Sequence, residues 1–231
     1  MYSMDGLFIM FLGMAIGLWA QFKVKRTFKK YDQFVSRSGA TADQVARDIL
    51  RRGGLDVGVE HVRGKLSDHY DPRDKMLRLS DSTYGNNSLA AIGVAAHEAG
   101  HAFQHAEGYV PLSLRTSLVP VANLGSKLSW ILIIAGMFMG IAGLLELGIL
   151  FFSAAVLFSL VTLPVEFNAS TRAIRILADG GYLTQDEIPA SRKVLNAAAM
   201  TYVASAVVAV MELFRLLLMS GLLGGSDRSE E

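Results

Sequence analysis

Gly93-Val94-Ala95-Ala96-His97-Glu98-Ala99-Gly100-His101-Ala102-Phe103-Gln104-His105 is the stretch from which the rest of the chain can be read. It reads as helix and contains His-Glu-x-x-His. Positions four apart on a helix share a face and lie about 6 Å apart along the axis, so His97 and His101 can offer two imidazoles to one metal ion. Glu98 follows the first histidine. That sets a carboxylate beside the metal without making it a ligand, where it can hold and deprotonate a water. Asn87 or Ser88 can cap the helix start, and Gly108 and Pro111 can close its end. The small residues Ala95, Ala96, Ala99, Gly100 and Ala102 leave room for other backbone near the metal face. The plainer reading of the same residues is a buried histidine pair with a surface glutamate.

Of the 231 residues, 52% are hydrophobic and none is cysteine. That is too apolar for an ordinary soluble domain and points to membrane spans, and it excludes disulfides and thiolate metal sites. The formal net charge of +1 gives no sign of a nucleic-acid partner.

Gly6 to Phe22 is an apolar run broken only by Gln21, with Asp5 before it and Lys23, Lys25, Arg26, Lys29 and Lys30 after it. As a helix it extends about 26 Å, enough to cross a bilayer. A signal peptide would carry its positive charge first, so the run reads as an uncleaved anchor with Lys23 onward in the cytoplasm. Residues 23–117 read as a small lobe. Thr41 to Gln44 resembles a capping box, Ala46, Ile49 and Leu50 give a helical apolar face, and Gly53-Gly54 stops it. Val57 to Arg63 and Lys75 to Ser80 alternate like strands, joined through a turn at Asp71-Pro72-Arg73-Asp74. If Leu77 and Leu79 face the core, a peptide can add to the open backbone edge of this pair; ordinary sheet packing is the alternative.

Trp130 to Leu145 and Leu147 to Val165 are apolar runs separated by Glu146, read as a membrane hairpin over 118–165 with a very short turn at that residue. Residues 166–196 return as a helix, 197–224 form a last span, and 225–231 a polar tail. Glu212 and Arg215 inside that span are spaced to neutralise each other. All Lys and Arg residues except Arg215 and Arg228 fall in 23–127 and 172–193, the segments this topology puts inside.

Two imidazoles leave a tetrahedral zinc site one protein ligand short once a position is kept for water, and two histidines with a glutamate form a common catalytic set. Glu166, in Leu163-Pro164-Val165-Glu166-Phe167-Asn168-Ala169-Ser170, is the candidate third ligand, with Asn168, Ser170 and Arg172 as its support. The alternative is an interface carboxylate paired with Arg172 or a lysine. Tyr84, Tyr109, Arg172 and Tyr182 are each candidates to stabilise an oxyanion, and the sequence does not choose among them. His105 reads as a supporting or core residue, and His61 and His69 as ordinary lobe residues.

The anchor, the His97-to-His101 motif and the hairpin ending in Glu166 to Ser170 together resemble the YugP-type neutral zinc metallopeptidase family, from about Tyr31 to Arg172. The arrangement is also similar to the wider glutamate-zincin membrane proteases, among them the heat-shock membrane protease and the CAAX prenyl protease. In those relatives the third ligand is the Glu of a Glu-x-x-x-Asp pattern. The resemblance implies Glu166 as that Glu, with Ser170 standing where the Asp would be.

The expected architecture is a mainly α membrane protein with about four transmembrane helices and a small α+β zincin-like cytoplasmic lobe. The expected function is peptide hydrolysis at the cytoplasmic face of a bacterial plasma membrane. One Zn2+ per chain is held by His97, His101 and Glu166, with Glu98 as general base. The partners are then the lipid bilayer, a peptide or membrane-protein substrate, and membrane proteins or further copies of the chain. A non-proteolytic, zinc-stabilised membrane scaffold is the other class, and hydrolysis of a lipid or other ester a third.

Overall fold

Punctuation residues set most of the element boundaries. In the computed structural model, which describes residues 4–222, they divide the chain into six helices and three short strands. The polar tail 225–231 and the side chain of Asp5 fall outside the described residues. In order the elements are α1 (Met4–Tyr31), α2 (Ala42–Arg52), β1 (Gly58–Val62), β2 (His69–Asp71), β3 (Met76–Ser80), α3 (Leu89–Ala106), α4 (Val110–Met139), α5 (Ala142–Asp179) and α6 (Ile188–Met219). Four of the helices, α1, α4, α5 and α6, are long and apolar enough to cross a membrane. The protein is a mainly α membrane protein with a small α+β lobe.

By contacts the chain forms two units. Among the described residues, the first draws on 4–19, 114–163 and 202–222. Its α4 and α5 pack through glycines: a Cβ at Gly125 would meet the Phe151 carbonyl at 2.8 Å, and one at Gly136 the Leu145 nitrogen at 2.6 Å. Small residues of this kind let apolar helices associate closely where no hydrophobic drive between them exists. Ile133, Ile149, Phe152, Val156 and Leu216 fill the contact, while Phe8, Phe11, Leu124, Phe138 and Leu150 face outward. Glu212 and Arg215 join in an ion pair within α6, as their spacing suggests.

The turn between α4 and α5 falls at Gly140-Ile141 rather than at Glu146. Gly140 adopts φ +67°, a left-handed conformation that ends a helix at little cost for glycine. Glu146 lies one turn into α5 and is exposed.

The second unit, residues 20–113 and 164–201, carries the sheet, α2 and α3. Gln44 Oε1 accepts from the Thr41 backbone at 3.1 Å, so its half of the capping box forms. Gly54, at φ +67°, follows the end of α2. The sheet differs from the two-strand reading. β2 lies between the two expected strands in sequence, and the order in space is β1-β3-β2. β1 runs parallel to β3, Val59 facing Leu77, while β2 and β3 form the antiparallel hairpin through the turn after Asp71. Leu77 and Leu79 do face the core, at 0% exposure, but β3 is the central strand and its edges are both occupied. The open edges belong to β1 and β2. Val45, Ile49 and Leu50 of α2, Ile92 and Ala95 of α3 and Leu177 of α5 close the same core.

Candidate metal centre

Ser88 caps α3: its hydroxyl accepts from the Ala91 amide at 3.1 Å and donates to Asp32 at 2.9 Å. A cap of this type stabilises a helix by about 1 kcal/mol. At the other end Gly108 takes φ +63° after the last turn. Between them α3 is buried on nearly every face, because the α2–sheet core covers one side while α5 and α6 cover others. Its small residues permit this. A Cβ at Gly93 would lie 3.2 Å from the Cβ of Ser191 on α6, and one at Gly100 only 2.8 Å from the Ala169 carbonyl oxygen on α5.

That close crossing brings Glu166 against the histidines. His97 and His101 stand edge to face, with ring centroids 4.7 Å apart. Glu166 Oε2 lies 3.3 Å from His97 Nε2 and 3.7 Å from His101 Nε2. One donor atom from each residue falls within 4.8 Å of the others. Donors about 2.1 Å from a tetrahedral metal are about 3.4 Å from one another, so these separations suit one small cation. The chemistry suits zinc as well, with two imidazoles and a carboxylate on a residue that is 2% exposed. Burial alone would depress the His101 pKa, but the hydrogen bond to Glu166 and the charges of Glu98 and Glu166 raise it above its ordinary value. Arg172, one partner offered by the interface-carboxylate reading of Glu166, pairs instead with Glu107 at 2.7 Å.

Each histidine is held through its other ring nitrogen. Ser170 Oγ lies 3.1 Å from His97 Nδ1. Gln104 Oε1 lies 2.9 Å from His101 Nδ1. Gln104 Nε2 donates to the Val165 carbonyl at 2.8 Å and to Asn168 Oδ1 at 3.0 Å. Asn168 therefore touches the site through Gln104, and Arg172 Nε donates to the same Asn168 oxygen at 2.7 Å. Gln104 was not singled out from the sequence, although its position three residues after His101 on one helix face is a usable signal.

Glu98 is 9% exposed as a residue, and its carboxyl makes no hydrogen bond or ion pair among the described residues. His105 is neither supporting residue nor core. It is exposed, and its Nδ1 meets the Tyr70 hydroxyl of β2 at 2.9 Å. His61 pairs with Asp81 at 2.6 Å, and His69 Nδ1 lies 2.8 Å from the Ser67 carbonyl. Of the oxyanion candidates, Tyr182 donates to Asp48 at 2.7 Å, Tyr84 stacks near His61, and Arg172 is committed to Asn168 and Glu107.

Two histidines one turn apart on α3 and a glutamate from α5 thus form a group that could hold a metal ion, with the His-Glu-x-x-His spacing of zinc peptidases. The comparison by sequence agrees: residues 6–221 match the family described as "putative neutral zinc metallopeptidase", and the chain belongs to that family. It is also 47% identical, over 224 residues, to the Bacillus subtilis (strain 168) protein named "Putative membrane protease YugP", covering 96% of this chain and 99% of that one. No solved structure matches the chain.

Proposed function

We propose that the protein is a membrane-bound zinc metalloendopeptidase that hydrolyses peptide bonds at the cytoplasmic face of a bacterial plasma membrane. The observation that carries this reading is the convergence of His97, His101 and Glu166, with Glu98 beside them and free. The three hold one zinc ion per chain. When bound, zinc supplies a Lewis acid that lowers the pKa of water and polarises a carbonyl.

Glu98 takes the proton from the attacking water and passes it to the departing amine. Its carboxyl has both oxygens uncommitted, as a proton carrier needs, and its burial keeps it out of competition with bulk solvent. Glu166 keeps the histidine pair oriented through its charge. Ser170 and Gln104 hold the outer nitrogens. A purely structural zinc site needs no general base and more often fills its fourth position with protein, which argues against a scaffold.

A peptide in extended form adds to the open edge of β2, the strand whose Tyr70 reaches His105 on α3. The residue blocks assigned from the sequence supply the topology: anchor 1–22, lobe 23–117, hairpin 118–165, returning helix 166–196 and last span 197–224. The cluster Lys23 to Lys30, directly after the first span, favours the cytoplasmic side for the lobe.

The test compares cleaved peptides from cells making the native protein and the Glu98→Gln variant, with both purified for metal analysis. The expected result is full zinc in the variant and loss of every native cleavage. Unchanged cleavage by Glu98→Gln would remove Glu98 from the mechanism.

A further inference from the structure

Gln104 is completely buried, at 0% exposure, and every polar group it carries is used. Its amide could in principle face either way, but its surroundings admit one orientation. Arg172 can only donate, so the atom of Asn168 that faces its Nε at 2.7 Å is the oxygen. That same oxygen accepts from Gln104 at 3.0 Å, and the Val165 carbonyl, another acceptor, lies 2.8 Å from Gln104. Both contacts demand the Gln104 NH2 group. Turned over, the amide would set its oxygen against two others and leave buried acceptors unpaired. Gln104 Oε1 is thereby aimed at His101 Nδ1, which must carry a hydrogen, and Nε2 is left as the nitrogen that faces Glu166.

We propose that Arg172, acting through Asn168 and Gln104, fixes the tautomer and ring orientation of His101, so that Nε2 is prepared as a metal-binding atom before any metal arrives. This rests on the reading of His97, His101 and Glu166 as metal ligands. Val165 and Asn168 flank Glu166 in the same turn of α5, so the relay ties the ring of one ligand to the backbone that presents another. Glu107, at the end of α3, closes the loop by holding Arg172 at 2.7 Å. His97 is treated differently. Its outer nitrogen meets a hydroxyl, which can donate or accept, so Ser170 tolerates either tautomer. The two histidines are unequal, with His101 fixed and His97 adaptable. Gln104, Asn168 and Arg172 are positioning residues that touch no substrate.

The test uses the full chain in detergent, with Zn2+ affinity from chelator competition and Co2+ absorption bands as a report on ligand geometry. Gln104→Leu keeps the volume and removes the hydrogen bonds. Arg172→Met removes the donor that orients Asn168 from a site that contacts no ligand, and it stands in if Gln104→Leu does not fold. Expected are a 10- to 100-fold weaker Zn2+ affinity with altered Co2+ bands for Gln104→Leu, on the order of other losses beyond the ligand shell, and a smaller change in the same direction for Arg172→Met. Native Co2+ bands with Zn2+ affinity within about twofold of native in both Gln104→Leu and Arg172→Met would overturn the relay. Failure of the ligand reading looks different: native protein would bind no metal, or Glu166→Ala would bind it as tightly as native.

Discussion

Gly100 and Ala169 meet backbone to backbone, and a Cβ on Gly100 would stand 2.8 Å from the Ala169 carbonyl oxygen. The glycine between the two histidines is thus a point where α5 lies against α3, and Ala169 is three residues from Glu166 along α5. Gly100→Ala forces the helices apart by more than side-chain adjustment can absorb, because the opposing atom is backbone. A loss of about 1–3 kcal/mol in stability is expected from the overpacking. The accompanying loss of Zn2+ affinity separates this from a general packing defect. Thermal melts with and without zinc check both, and an unchanged melt together with unchanged affinity would count against the crossing.

Ser170 offers a neutral hydroxyl to His97 Nδ1 at 3.1 Å. Ser170→Asp is expected to raise Zn2+ affinity several-fold, since an ionised partner makes the imidazole a stronger donor. The same change lowers the melting temperature of metal-free protein, because a larger side chain must fit at a position that is only 8% exposed. Opposite shifts with and without metal are the signature. Parallel shifts would indicate packing alone.

Asp71, at the end of β2, accepts hydrogen bonds from Arg73 and also pairs with Arg78 at 3.2 Å, and these hold its carboxyl at a pKa of about 2. The folded value lies below the unfolded one, so the stabilisation is present above the ordinary carboxylate range and is lost as pH falls toward 2. Asp71→Asn should therefore lower the melting temperature at neutral pH, and the gap to native should close as the buffer is taken below about pH 4. A gap that stays constant with pH would mean that the carboxylate charge has no part in holding β2 to β3.

The parts legible in the sequence are those whose signal is local. The His97-to-His101 spacing, the Ser88 cap and the stop at Gly53-Gly54 each depend on a few neighbouring residues, and each stands as read. Glu166 was legible for a chemical reason, the need for one more ligand, and one of its oxygens lies within 4.8 Å of a ring nitrogen of each histidine. The third strand was not. His69–Asp71 is three residues long, polar, and defined only by pairing with β3, which no periodicity announces. The parallel pairing of β1 with β3 is likewise a long-range choice. At the hairpin, the charge of Glu146 suggests a turn in the sequence, whereas the backbone freedom of Gly140 sets its place. Gln104 went unread because its role comes from atoms of Val165 and Asn168, some sixty residues away in sequence.

The most direct measurement of the central claim is the zinc content of purified native protein beside that of Glu166→Ala, at equal folded fraction. The account expects one zinc per native chain and far less than one in the variant, because removing the carboxylate leaves only the two imidazoles of α3. Full stoichiometric zinc in Glu166→Ala would contradict it.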